Sequence, residues 1–182
     1  MKIRLAADLQ IDSVVDGEGI RTVIWTQGCP HHCLGCHNPN THDFNEGEVV
    51  DVSEVLDRID ELENQDGITF SGGDPMCQPK ACAKIAKYAK GKGLNIWCYT
   101  GYTYEKLQQL SQINNDIVEF LKTIDVLIDG PFILKEKSLD LKFRGSKNQR
   151  LIDIPKTLEQ NKIVLKQEEA PISFSKPEGI YI

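Results

Sequence analysis

The chain has no apolar run near the roughly 18 residues that a membrane helix requires. Its opening stretch, Met1-Lys2-Ile3-Arg4-Leu5, lacks the apolar core of a secretory signal. A cytoplasmic protein with no membrane partner is expected. Excess positive charge is missing too: 21 Lys and Arg stand against 27 Asp and Glu, for a formal charge of −6. Phosphate neutralisation needs a basic surface, so no nucleic-acid partner is expected. There is no internal repeat, low-complexity tract or obvious linker, and 182 residues suit one domain, 1–182. Nor is there a convincing Ser-His-Asp or paired-carboxylate constellation, so no catalytic acid, base or nucleophile is nominated.

What the chain does have is an alternation of short β-rich runs with helical periodicity, the pattern of an α/β domain with a mainly parallel sheet. Strands are expected at residues 22–27, 67–70, 94–99 and 126–128, with another at 150–154. Helices are expected from about residue 52, with Ser53 as cap, at about 79–90, and as one long element over 104–122. Right-handed crossovers bring every loop that follows a parallel strand to the same sheet edge, where such sheets hold ligands. The loops at 28–46, 71–75, 100–102 and 129–131 should therefore converge. The core is read as residues 12–153, and the last 20 residues are not placed.

The six cysteines are unevenly spread. Cys29, Cys33 and Cys36 fall within Gly28-Cys29-Pro30-His31-His32-Cys33-Leu34-Gly35-Cys36-His37-Asn38-Pro39, and all four histidines lie in or just after that run. In a reducing compartment such a cluster points to metal ligands rather than disulfides. Three thiolates on one loop can hold three irons of a [4Fe-4S] cluster and leave the fourth without a protein ligand. A structural zinc, with His37 or His32 as fourth ligand, is the alternative; zinc sites more often pair two separated ligand doublets. Cys77 and Cys82 are spaced so that they could complete or bind a cluster. Burial as small apolar side chains is the other reading for them and for Cys98.

The spacing C-x3-C-x2-C after a first strand resembles the radical S-adenosylmethionine superfamily, and Ser71-Gly72-Gly73-Asp74-Pro75 looks like its glycine-glycine-acid segment. Within the superfamily, residues 12–153 resemble the activating proteins of anaerobic ribonucleoside-triphosphate reductase. The discriminating segments are Tyr99-Thr100-Gly101-Tyr102, Asp125 through Gly130, and Phe143-Arg144-Gly145-Ser146-Lys147-Asn148-Gln149. Two positions depart from the family: Glu18 stands where relatives often have Pro, and Gly35 where an aromatic often precedes the third cysteine.

The resemblance implies an open partial (β/α) barrel and an oxidoreductase with one [4Fe-4S] cluster on Cys29, Cys33 and Cys36. S-adenosylmethionine would be cleaved there, and the resulting radical would make a glycyl radical on the large reductase subunit. A flavodoxin- or ferredoxin-type donor would supply the electron. For S-adenosylmethionine the expected contacts are Cys36, His37 (adenine packing), Ser71, Gly72, Gly73 and Asp74. Thr100 and Asp129 either touch the ribose or methionyl group or form turns and caps. Arg144 either holds the methionyl carboxylate or faces the partner protein. The basic stretch 135–150 is a solvated loop or a docking surface for the reductase. His31 and His32 are expected to face solvent or bond the loop backbone. Rival readings are an activase of another glycyl-radical enzyme, resembling the pyruvate formate-lyase activating enzyme, a small-molecule synthase resembling that of the deazapurine pathway, and a metal-binding adaptor.

Overall fold

Strands buried on both faces read as near-continuous apolar runs, and the central runs of this chain pair in that way. The computed structural model describes residues 1–167. Its strands are β1 (Lys2–Leu5), β2 (Gln10–Ser13), β3 (Arg21–Thr26), β4 (Glu48–Asp51), β5 (Gly67–Gly72), β6 (Asn95–Tyr99), β7 (Val126–Asp129) and β8 (Arg150–Asp153). The helices are α1 (Val52–Asp60), α2 (Pro79–Gly91), α3 (Tyr104–Ser111), α4 (Asn115–Leu121) and α5 (Ile154–Gln160). All strands join one open sheet in the order β4-β1-β3-β5-β6-β7-β8, with β2 on β3. The inner four, β3-β5-β6-β7, are parallel. The flanking strands β1, β2, β4 and β8 all pair antiparallel. The expectation of a mainly parallel sheet thus holds for the centre and not for the edges.

Period-two alternation along the parallel strands builds two unlike faces. Ile24, Ile68, Phe70, Ile96, Cys98 and Leu127 share one core with Val55 and Ile59 of α1, Ile85 of α2, Leu107 of α3 and Phe120 of α4. Phe70 and Phe120 meet edge to face at 5.2 Å. The other face carries a smaller group, Trp97, Val126, Ile128 and Leu151, with Tyr99 and Phe143 against it. Among the described residues no helix contributes to that second group.

Three local expectations are corrected. The first helix is capped by Asp51, whose N–H donates to Glu54 at 3.2 Å, and Ser53 lies inside it. The predicted helix over 104–122 is two helices: Asn114 accepts from Asp116 N–H at 3.0 Å and starts a new one. The antiparallel strands β1, β2 and β4 lie outside the expected set of elements. Of the unplaced final residues, Leu165 bridges Ile152, and 168–182 lie outside the described residues. Among the described residues no helix is long and apolar enough to cross a membrane.

Candidate iron-sulfur site

The cysteine loop leaves β3 through Gly28, whose φ of +99° suits a residue without Cβ. It is closed by its own backbone: Gly28 N–H donates to Thr41 O at 2.9 Å and Cys29 N–H to His42 O at 3.0 Å. The Gln27 amide reaches across to Asp43 O at 2.7 Å. Cys29 is buried, whereas Cys33 and Cys36 are half-buried. All three line a single cavity of about 560 Å³. Burial pushes the Cys29 thiol up to about 11, and Asp74, Cys33 and Cys36 add to it electrostatically. Three thiolates on one cavity wall would repel one another, a cost that bound iron would offset. Among the described residues no three His, Cys, Asp or Glu gather tightly enough to hold one ion. A cubane makes a different demand, because each thiolate binds a different iron around a larger body. The donor set fits that group.

The loops after β5, β6 and β7 reach the same cavity through Ser71, Gly72, Gly73, Thr100, Gly101 and Gly130. The expected convergence of strand-end loops is what the fold produces. Gly73 N–H donates to Thr26 O at 2.7 Å and Asp74 N–H to Gly28 O at 2.9 Å, which lays the glycine turn against the root of the cysteine loop. A Cβ on Gly73 would run into the Gly28 backbone, so the approach requires glycine.

Asp74, expected to contact ligand, turns its carboxylate to protein donors, and Asp129 follows the second of its two readings, at a helix start. Asp74 is fully buried and its oxygens accept from Met76 N–H (2.9 Å), Thr100 Oγ1 (2.9 Å), Gly101 N–H (3.0 Å) and His31 Nε2 (2.7 Å). A buried carboxylate must be satisfied by donors, and here protein donors fill that need. Asp129, also buried, accepts from Tyr104 N–H at 2.8 Å and Arg150 Nε at 3.0 Å, so it serves the helix start and an ion pair. Thr100 does border the cavity, but its hydroxyl is given to Asp74. His31 likewise differs from expectation, being neither solvent-facing nor bonded to the loop backbone. His32 is exposed, at φ +46°.

The basic stretch 135–150 is neither a free loop nor wholly a surface. Lys137 bridges Ser146, and the turn between them brings Phe143, Arg144 and Gly145 to the cavity wall. Phe143 is anchored twice: its carbonyl accepts from Tyr99 OH at 2.8 Å and its ring meets Trp97 at 5.2 Å. His37 lines the cavity with its ring 5.0 Å from Phe132. Trp25, Tyr99, Phe132 and Phe143 were missed as wall residues. For Trp25 and Tyr99 the signal was available, since they alternate with Ile24 and Cys98, which face the helices. Cys82 and Cys98 are buried in the helix-side core, and burial raises both thiols. Half-buried Cys77 is pushed up to about 12 by the same cause.

A family model described as "4Fe-4S single cluster domain" matches residues 15–152, which include the parallel strands, the cysteine loop and the loops after β5, β6 and β7. The anaerobic ribonucleoside-triphosphate reductase-activating protein of Enterobacteria phage T4 is 34% identical over 145 residues, covering 75% of this chain and 86% of its own. The protein of the same name from Escherichia coli (strain K12) is also 34% identical over 145 residues, covering 75% of this chain and 90% of its own. Among solved structures, QueE from Escherichia coli superimposes with a TM-score of 0.44 at 14% identity, over 56% of this chain and 54% of that one. The chain belongs to the family of anaerobic ribonucleoside-triphosphate reductase-activating proteins.

Proposed function

We propose that this chain is the activase of an anaerobic ribonucleoside-triphosphate reductase, working through a [4Fe-4S] cluster on Cys29, Cys33 and Cys36 and through S-adenosylmethionine. The observation that carries the reading is the meeting of the three-cysteine loop and the glycine-rich strand ends on one open cavity. When bound, the cluster supplies the electron that cleaves S-adenosylmethionine to methionine and a 5′-deoxyadenosyl radical, which takes an α-hydrogen from one glycine of the reductase. The protein's part is orientation and the exclusion of water.

Ser71, Gly72 and Gly73 present backbone to the cavity with little side chain in the way, and their carbonyls suit an ammonium group. Asp74 acts behind that wall, holding the loops rather than touching ligand. His37 and Phe132 supply ring faces for adenine, and Arg144 suits the methionyl carboxylate. Asp129 holds Arg150 and the start of α3. A flavodoxin- or ferredoxin-type donor is the second partner, and a cytoplasmic setting suits both.

The test is an anaerobic one: reconstitute with iron and sulfide, reduce with dithionite, add S-adenosylmethionine and the reductase, and record the electron paramagnetic resonance spectrum. A glycyl doublet is expected, abolished by Cys29→Ala, Cys33→Ala or Cys36→Ala. Cleavage without a radical on that partner would move the chemistry to another client. A protein that binds only zinc and leaves the sulfonium intact would overturn the reading.

A further inference from the structure

We propose that His31 is a positioning residue, which sets where the cysteine loop stands against the glycine-rich strand ends by clamping onto the buried Asp74 carboxylate. The inference rests on the reading that Cys29, Cys33 and Cys36 hold a cluster and deepens it.

Asp74 gathers donors from three separate loops. Met76 N–H comes from its own loop after β5, Thr100 Oγ1 and Gly101 N–H from the loop after β6, and His31 Nε2 from the turn between the first two cysteines. Upstream of Cys29 the cysteine loop is tied by backbone bonds, through Thr26 O and Gly28 O. Within the Cys29–Cys33 turn the tie is the side chain of His31, at 2.7 Å.

The imidazole also occupies a fitted slot. Its ring meets Tyr102 edge to face at 4.4 Å, and its side chain is only 16% exposed. A Cβ on Gly101 would land on the His31 ring, so glycine there leaves the ring its place. Room from Gly101, backing from Tyr102 and a bond from Asp74 thus all select a flat donor-bearing ring. The physical consequence concerns a distance. Ser71 to Gly73 is to hold the ammonium group of a ligand that also meets the cluster, so the spacing between the loops decides whether both contacts are made at once. Misplacement by about 1 Å can cost on the order of 100-fold in rate.

The test compares His31→Gln, which can place an amide donor near the Nε2 position, with His31→Phe, which keeps a ring and loses the donor. Each protein is reconstituted anaerobically, and iron and sulfide per chain are measured. S-adenosylmethionine is then titrated into the reduced protein while its paramagnetic spectrum is followed, and KM and kcat for cleavage are separated. His31→Phe is expected to carry iron and sulfide near the wild-type amount, yet to need roughly 10-fold or more S-adenosylmethionine for the spectral change, as outer partners of metal sites typically do. His31→Gln should stay within about 3-fold of wild type, which makes the hydrogen bond responsible. A titration of His31→Phe that overlays wild type overturns the proposal. Equal loss in both variants also overturns it, because supplying a donor without the imidazole would then restore nothing. If the wild-type protein itself takes up no cluster, or its spectrum ignores S-adenosylmethionine, the failure lies in the reading of the site, and the His31 proposal falls with it.

Discussion

Arg21 has one of the largest fully buried side chains in the protein, and its hydrogen bonds go to uncharged oxygens. Nε donates to Thr69 Oγ1 at 2.7 Å, Nη1 to Asn95 Oδ1 at 2.7 Å and to Glu18 O at 3.0 Å, and Nη2 to Ile68 O at 2.8 Å. The guanidinium also lies 5.3 Å from the centre of the Trp97 ring. Burial brings its pKa down to about 10, which leaves it a cation at neutral pH. Thr69 Oγ1 in turn donates to Asp16 O at 2.7 Å, so Arg21 braces the segment that carries Val14, Val15 and Asp16 to the cavity. Arg21→Met would strand several buried acceptors. It is expected to cost about 2–4 kcal/mol, read as a drop in the urea midpoint, and a loss under about 0.5 kcal/mol would contradict the brace. Glu105 gives a pH-dependent counterpart at the surface. Arg150 donates to it at 3.0 and 2.8 Å and holds its carboxyl down to about 2. A depressed carboxylate contributes its stability above the ordinary value of 4.5 and loses it as pH falls toward 2. Because the side chain is 53% exposed, screening limits the effect to about 1 kcal/mol or less. Glu105→Gln should therefore be less stable than wild type at pH 7, and the gap should close as unfolding is repeated at lower pH down to about 2. A gap that stays constant would mean the pair contributes no such linkage.

At the scale of elements, two glycines that look alike in the sequence should respond with opposite sign. Gly91 ends α2, and a Cβ there would meet nothing within 4 Å. Gly91→Ala is expected to stabilise by about 0.5–1 kcal/mol, by lowering the freedom of the unfolded chain and favouring helix. Gly73→Ala would push a methyl into the Gly28 backbone, where no rotamer change gives relief. Its expected result is reduced iron uptake together with a lower thermal midpoint. Normal values for both would show that the glycine turn need not lie against the cysteine loop. The same contrast explains what could be read in advance. The centre of the sheet and α1 and α2 announce themselves by local apolar runs and helical periodicity. Strands β1 and β4 are only four residues each and owe their pairing, Lys2↔Asp51 through Leu5↔Glu48, to partners far along the chain. Periodicity ran unbroken across residues 112–114, so the division into α3 and α4 was hidden, although Asn114 is a residue type that starts helices.

At the scale of the whole molecule, the parts of the cavity wall legible in the sequence are those with a local signal: the three cysteines and the glycine-rich strand ends. The direction each carboxylate faces was not legible, because Asp74 is claimed by His31 and Thr100, and Asp129 by Arg150, all distant in sequence. This division between a local metal loop and a separate scaffold leads to a prediction about the metal-free chain. The helix-side core draws on β1, β3, β5, β6, β7 and the helices, and no residue of 28–46 belongs to it. The cysteine loop is closed by Gly28 and Cys29 backbone bonds and by the Gln27 side chain, none of which needs iron. Small metal-dependent domains behave otherwise, since for them binding energy is folding energy. Here, chelating the iron from reconstituted protein should leave the far-ultraviolet helical signal and a single cooperative unfolding transition in place. Amide exchange should quicken in the loops at 28–46, 71–75 and 100–102, and stay slow in α2, α4, β5 and β6. Collapse of the helical signal on chelation would mean that the cluster is a structural staple. Uniform quickening across α2 and β5 would mean that loop and core unfold as one unit. Retention of slow core exchange would establish that this scaffold stands first and presents its cysteines to iron afterwards.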